Sequence, residues 1–303
     1  MYGMGIRSTV RCVAPPGFDL KTEIVMALFK TLAASVAVAG LGVALWVGVE
    51  NRRTEAEIAG NQQAVAALAA KAAVPVFQNA ALPEPVQRYF DYVFPEGVPQ
   101  DRLVRLSAKG QFRRPGTDSF GPTTAEQVIA TTTPALMFSA TTPIFGVGWA
   151  RAYDYFAEGK MVMKARILSA LTVVDERETP LLNRISLRRW LLESALYPAA
   201  LLPGGAVTWQ AIDATHARAI ARADGEEASM VAEFDPSGAM VAMKAEEDGD
   251  LTLPYHGSGE HVARGDYRMV QGQRIPHRFT ISRAAGGQLY PFWDGEITDI
   301  SFE

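Results

Sequence analysis

Residues 150–168 read ARAYDYFAEGKMVMKARIL, two runs of strand-like residues on either side of Glu158-Gly159. Alternation with a period of two turns one face of a run toward a core and the other toward water, as in a half-buried strand. Two such runs joined by a two-residue junction ending in Gly make a tight hairpin.

The same texture extends in both directions. Strands are expected over 102–113, 123–132, 135–141, 147–157, 160–175, 206–213, 216–223, 228–235, 239–247, 260–270, 273–283 and 289–302, with turns such as Asp235-Pro236-Ser237-Gly238 and Gln271-Gly272 between neighbours. Short turns between successive strands build antiparallel sheet, because parallel pairs need crossovers of a dozen or more residues. One segment interrupts the run. LLNRISLRRWLLESALYPAA (181–200) reads as a helix, stopped by Pro198 and then by Leu202-Pro203-Gly204-Gly205. A second, shorter helix is expected in LPEPVQRYFDYVF (82–94), where Val86, Tyr89, Phe90 and Val93 fall at the spacing of one helix face. The expected fold is mainly β with helices: a large curved antiparallel sheet or half-barrel over residues 80–303, carrying an inserted helix at about 181–200.

Upstream the composition changes. From Ile24 to Val49 the chain reads IVMALFKTLAASVAVAGLGVALWVGV, with Lys30 as its only charge. The uninterrupted part, Thr31 to Val49, matches the roughly 17–25 residues that cross a hydrocarbon core as a helix. The run is longer than the apolar core of a secretory signal and ends in Trp46-Val47-Gly48-Val49, a poor cleavage site, so residues 24–50 read as a retained transmembrane signal anchor. Arg7, Arg11, Lys21 and Lys30 precede the span and Arg52 and Arg53 follow it, a bias that keeps the N-terminus inside and puts the body outside. The expected location is the bacterial inner (cytoplasmic) membrane, single pass, with the body on the extracytoplasmic side. Residues 1–23 have no periodicity and are expected to be disordered or to precede a true start at Met26. Residues 51–79 are expected as a helical stalk or linker, with Thr54 and Glu57 as a capping box and Pro75 as its end, or as a helix packed on the body.

The net charge of −4 provides no basic footprint for nucleic acid. The one cysteine, Cys12, precedes the anchor, so the body has no disulfide, thiolate nucleophile or cysteine-bound metal. No cofactor is expected. His256 and His261 flank Gly257-Ser258-Gly259, which is not a nucleophile elbow, and they read as surface histidines, with His277 exposed or at an edge. Glu193 follows Arg189 by four residues on the inserted helix. On a solvated face this would be an ordinary ion pair; pointed under the sheet, Glu193 would meet a cavity. With Tyr197, Trp190, Trp209, Asp154 and Trp149 it forms the candidate ligand-binding set. Asp154, Glu126 and Gln127 are strand polar residues without an evident partner.

LPEPVQRYFDYVFPEG, the strand containing AEQ, the 150–168 hairpin, RRWLLESALYPAALLPGGAVTW and the closing RIPHRFTISR…YPFWDGEITDISF stand in an order that resembles a bacterial family of uncharacterised membrane-anchored proteins. The resemblance covers about residues 80–303. It implies one β-rich domain, similar in fold to the half-barrel of periplasmic lipoprotein carriers. One departure is Glu246-Glu247-Asp248-Gly249-Asp250 and Tyr255-His256, where a basic residue and a tryptophan would be expected. The functional expectation is an extracytoplasmic domain binding a lipid or other apolar ligand in a cavity of the curved sheet. The alternatives are an envelope interaction protein using the stalk and residues 246–250, or an enzyme using carboxylates such as Glu193 and Asp154.

Overall fold

The 150–168 segment is a hairpin in the structure, a computed structural model that describes residues 20–73, 82–113, 117–144, 146–252 and 259–303. Cys12, Pro75, Phe145 and His256 with its neighbours Gly257 and Ser258 lie outside these. Strands β4 (Gly148–Ala157) and β5 (Lys160–Ile167) pair in register from Ala157↔Lys160 to Ala150↔Ile167. Glu158 and Gly159 both take positive φ, 51° and 69°. That is the left-handed turn pattern that suits the twist of a hairpin and favours Gly at its second position.

The other strands are β1 (Leu103–Arg113), β2 (Phe120–Ala130), β3 (Ala135–Ile144), β6 (Leu171–Arg177), β7 (Val207–Ala211), β8 (His216–Ala223), β9 (Glu226–Phe234), β10 (Met240–Lys244), β11 (His261–Val270), β12 (Gln273–Ala285) and β13 (Gln288–Phe302). All thirteen form one antiparallel sheet in the order β6-β5-β4-β3-β2-β1-β13-β12-β11-β10-β9-β8-β7. The expected strand over 160–175 is divided. Leu168 and Ser169 turn with φ 53° and 57°, and the chain doubles back as β6 without any Gly or Pro to mark the place.

The order contains two meanders, β1–β6 and β7–β13, joined where β1 pairs with β13. The sheet does not close, and β6 and β7 are its edges. The chain leaves by one edge and re-enters by the other through helix α3 (Pro180–Glu193) and two short 3-10 turns, Ser194–Leu196 and Pro198–Leu201. Thr179 caps α3 by accepting from the Leu182 amide, and Pro180 occupies the first turn, where its missing N–H does no harm. The expected single helix over 181–200 therefore ends at Glu193, and Pro198 opens the second 3-10 turn. The turn at Gly159 comes up to Asp224 in the β8–β9 turn so closely that a Cβ there would meet the Asp224 Cβ at 2.6 Å. The sheet is thus curled, with α3 on its concave side. Helix α2 (Glu84–Val93) buries Val86, Tyr89, Phe90 and Val93, the expected stripe, in the same core.

Helix α1 runs from Leu20 to Lys71. Residues up to Gly48 form one unit and Val49–Glu303 a second. In the first unit the helix is long and apolar enough to cross a membrane, and Leu28, Phe29, Val36 and Leu41 are exposed along it. In the second, the alanine-rich segment is packed on the body rather than standing free. Ile58, Val65 and Ala69 bury against Leu103, Val128, Met137 and Tyr153 on the convex face of the sheet. Glu57 pairs with Lys164 and Arg166 of β5 and accepts from the Tyr153 hydroxyl at 2.9 Å. The expected capping box at Thr54 and Glu57 is absent, because the helix is continuous there. The Thr54 hydroxyl donates instead to the Ser169 carbonyl at 3.2 Å.

Candidate functional site

Five strands present an alanine at the same level. Ala108 on β1 pairs with Ala125 on β2, Ala125 with Ala140 on β3, Ala140 with Ala152 on β4, and Ala152 with Ala165 on β5. All five face the concave side and line a cavity of about 550 Å³. Large side chains at one level would fill the inside of so curved a sheet; a row of methyl groups leaves it hollow. Leu106, Phe138, Met163, Phe279, Ile281, Phe292 and Trp293 complete mainly apolar walls.

The cavity has a polar floor. Arg189 of α3, 2% exposed, lies between two carboxylates: Nη1 donates to Asp154 Oδ2, and Nε donates to Glu193 Oε1 at 3.1 Å. Glu193 Oε2 accepts from Gln127 Nε2 at 2.9 Å, and the Arg189 guanidinium sits 4.2 Å from the centre of the Phe138 ring. Arg264 of β11 also lines the floor and donates from Nη2 to the Leu192 carbonyl. At the opposite end the lining residues Phe112 of β1, Thr142 and Ile144 of β3 and Ile167 of β5 are partly exposed. That end is the mouth.

Burial pushes the Asp154 carboxyl up to about 6; Arg189 opposes the shift and the Glu193 charge adds to it. An unfolded Asp titrates near ~3.9, so between about pH 4 and 6 the folded chain holds a proton that the unfolded chain releases. This contribution to stability is complete below about pH 4, is lost as pH rises through about 6, and amounts to roughly 3 kcal/mol. Asp154→Asn should remove it. Urea unfolding at pH 4.5 and 7.5 measures the increment in each protein, and an unchanged pH slope in the variant would contradict this assignment.

Of the candidate residues named from the sequence, Glu193 and Asp154 meet at the floor, both through Arg189. The Arg189–Glu193 spacing is therefore an ion pair, but a buried one. The other four do not line the cavity. Trp190 is fully buried, with Nε1 donating to the Ala130 carbonyl at 3.1 Å, and the Tyr197 hydroxyl donates to the Trp190 carbonyl at 2.6 Å. Trp209 donates to the Leu201 carbonyl at 3.0 Å, and Trp149 to the Ser169 hydroxyl at 3.1 Å. Gln127 joins the floor, whereas its neighbour Glu126 is exposed on the other face. Two histidines differ from expectation. His277 is buried on interior strand β12, its Nδ1 2.9 Å from the Ile275 carbonyl, and His261 begins β11 half-buried.

Residues 80–302 match the model of a family of unknown function (DUF6920). The chain belongs to that family. Its matched region takes in the whole sheet, α2 and α3, and hence every residue of the floor and the alanine row. No curated protein matches the chain at a significant level.

Proposed function

We propose that this DUF6920 member is an extracytoplasmic domain, anchored by residues 24–50 in the inner membrane of a bacterium, that holds a lipid or other apolar molecule in the cavity of its curved sheet. The observation that carries this reading is the hollow itself: about 550 Å³, walled by apolar side chains and open at one end. Ligand sites commonly measure roughly 300–1,000 Å³ and combine apolar walls with a few placed polar groups. The mouth also suits exchange with a bilayer. Phe120, Val147, Leu171 and Leu289 are exposed at the hairpin ends on this side. Asn51, two residues into the second unit, accepts from the Ser169 hydroxyl in the β5–β6 turn at 2.8 Å, so that unit begins at the same end. A single guanidinium holds both floor carboxylates, which favours binding over acid–base chemistry by that pair.

The test is mass spectrometry of lipids extracted from purified residues 49–303, with uptake of a fluorescent acyl chain measured in parallel. The wild type should carry or take up about one amphiphile per chain. Ala140→Trp places an indole in the hollow and should reduce uptake by at least about tenfold while the protein stays folded, a change of about 1.4 kcal/mol or more in binding. A wild type that neither carries a lipid nor takes up the probe would end the proposal. Protease added to spheroplasts should digest the body; protection there would put it on the other side of the membrane.

A further inference from the structure

Buried polar groups nearly always find partners, and a buried guanidinium with idle donors calls for a specific explanation. Arg264 is 7% exposed, yet among the described residues its Nε and Nη1 have no hydrogen-bond partner. The groups around it do not supply one. The Tyr267 hydroxyl donates to the Met240 carbonyl at 2.7 Å and the Tyr197 hydroxyl to that of Trp190. Glu193 is committed to Arg189 and Gln127, so its charge reaches Arg264 without a hydrogen bond. The Tyr89 hydroxyl, also within the field of Arg264, is buried and unpaired among the described residues. Burial in this setting lowers the Arg264 pKa, as expected of a cation short of compensation.

Resting on the reading of the cavity as a ligand site, we propose that its ligand is an amphiphile with an acidic oxygen head, a long-chain fatty acid being the simplest, whose head group meets the Arg264 guanidinium where it lines the cavity. Charge-assisted bonds from a guanidinium to an acidic oxygen are about twice as strong as neutral ones. The alkyl chain then follows the alanine row to the mouth. Asp154 at the floor and Gly148 at the mouth end lie six residues apart on β4, roughly 20 Å of strand, within the reach of a long acyl chain. A neutral lipid would fill the same walls and leave the guanidinium unpaired.

The test uses the full chain in phosphatidylcholine nanodiscs at pH 8. Two photoreactive probes, a palmitic acid with a diazirine near its tail and its methyl ester, are cross-linked by light and mapped by peptide mass spectrometry. The acid should label cavity peptides about tenfold or more above the ester, a ratio worth about 1.4 kcal/mol. Arg264→Met should bring the acid down to the level of the ester, and Arg264→Lys, which keeps the charge but not the planar guanidinium, should retain part of the preference. If Arg264→Met fails to fold, the acid-to-ester ratio in the wild type and in Arg264→Lys decides. Equal labelling by acid and ester in the wild type, or a preference that survives Arg264→Met, overturns the acidic head and leaves the cavity reading standing. Absence of cavity labelling by either probe overturns both.

Discussion

Arg189→Met should cost the domain about 3–5 kcal/mol of stability at pH 7.5, seen as a large fall in the urea midpoint of residues 49–303. The reason is the arrangement at the floor. One guanidinium, almost wholly out of water, is the shared cation of Asp154 and Glu193. A methionine fills much of the same volume against Phe138, so the change removes charge and hydrogen bonds more than packing. It leaves two buried carboxylates close together with, among the described residues, only Gln127 to donate to one of them. Such a pair has to take up a proton or draw in water, and either is unfavourable at neutral pH. The loss should therefore shrink at pH 5, where protonation relieves the pair. Asp154→Asn in the same background should recover part of the stability at pH 7.5. A loss below about 1 kcal/mol would mean that the three groups are solvated and that the floor is not a closed network.

Much of this fold is legible in the sequence because it is built from local signals. Glu158-Gly159 and Gln271-Gly272 announce hairpins through the positive φ that their glycines accept, and both occur as turns with that geometry. The division at Leu168-Ser169 is silent, since neither residue favours positive φ and only the pairing of β5 with β6 holds them there. The site is harder to read, because a cavity is a property of register. No single alanine among Ala108, Ala125, Ala140, Ala152 and Ala165 is unusual, and they form a row only once five strands are aligned. The i, i+4 spacing of Arg189 and Glu193 is plain, but spacing cannot tell a solvated pair from a buried one. Arg264 did leave a trace. It sits two residues after the buried Val262 on β11, an arginine on the inward face of a strand, and that misplaced charge marks the floor.

Trp190→Ala should be as damaging as the loss of Arg189, at about 3–5 kcal/mol, for a different physical reason. The indole is fully buried in the core, tilted against Tyr197 with ring centres 6.0 Å apart, and its N–H ties α3 to the Ala130 carbonyl at the end of β2. Truncation opens a void behind the helix that carries Arg189 and Glu193, and dense packing gives the neighbours little room to close it. Trp190→Phe separates the two contributions. It keeps most of the ring and removes the indole N–H bond to the Ala130 carbonyl, so it should cost about 1–3 kcal/mol. The ring does not line the cavity. In molecules that remain folded, acyl-probe labelling per chain should therefore stay within about twofold of the wild type for Trp190→Phe, while the urea midpoint falls. If labelling collapses and stability holds, Trp190 touches the ligand, and the wall of the cavity lies one layer deeper than the structure places it.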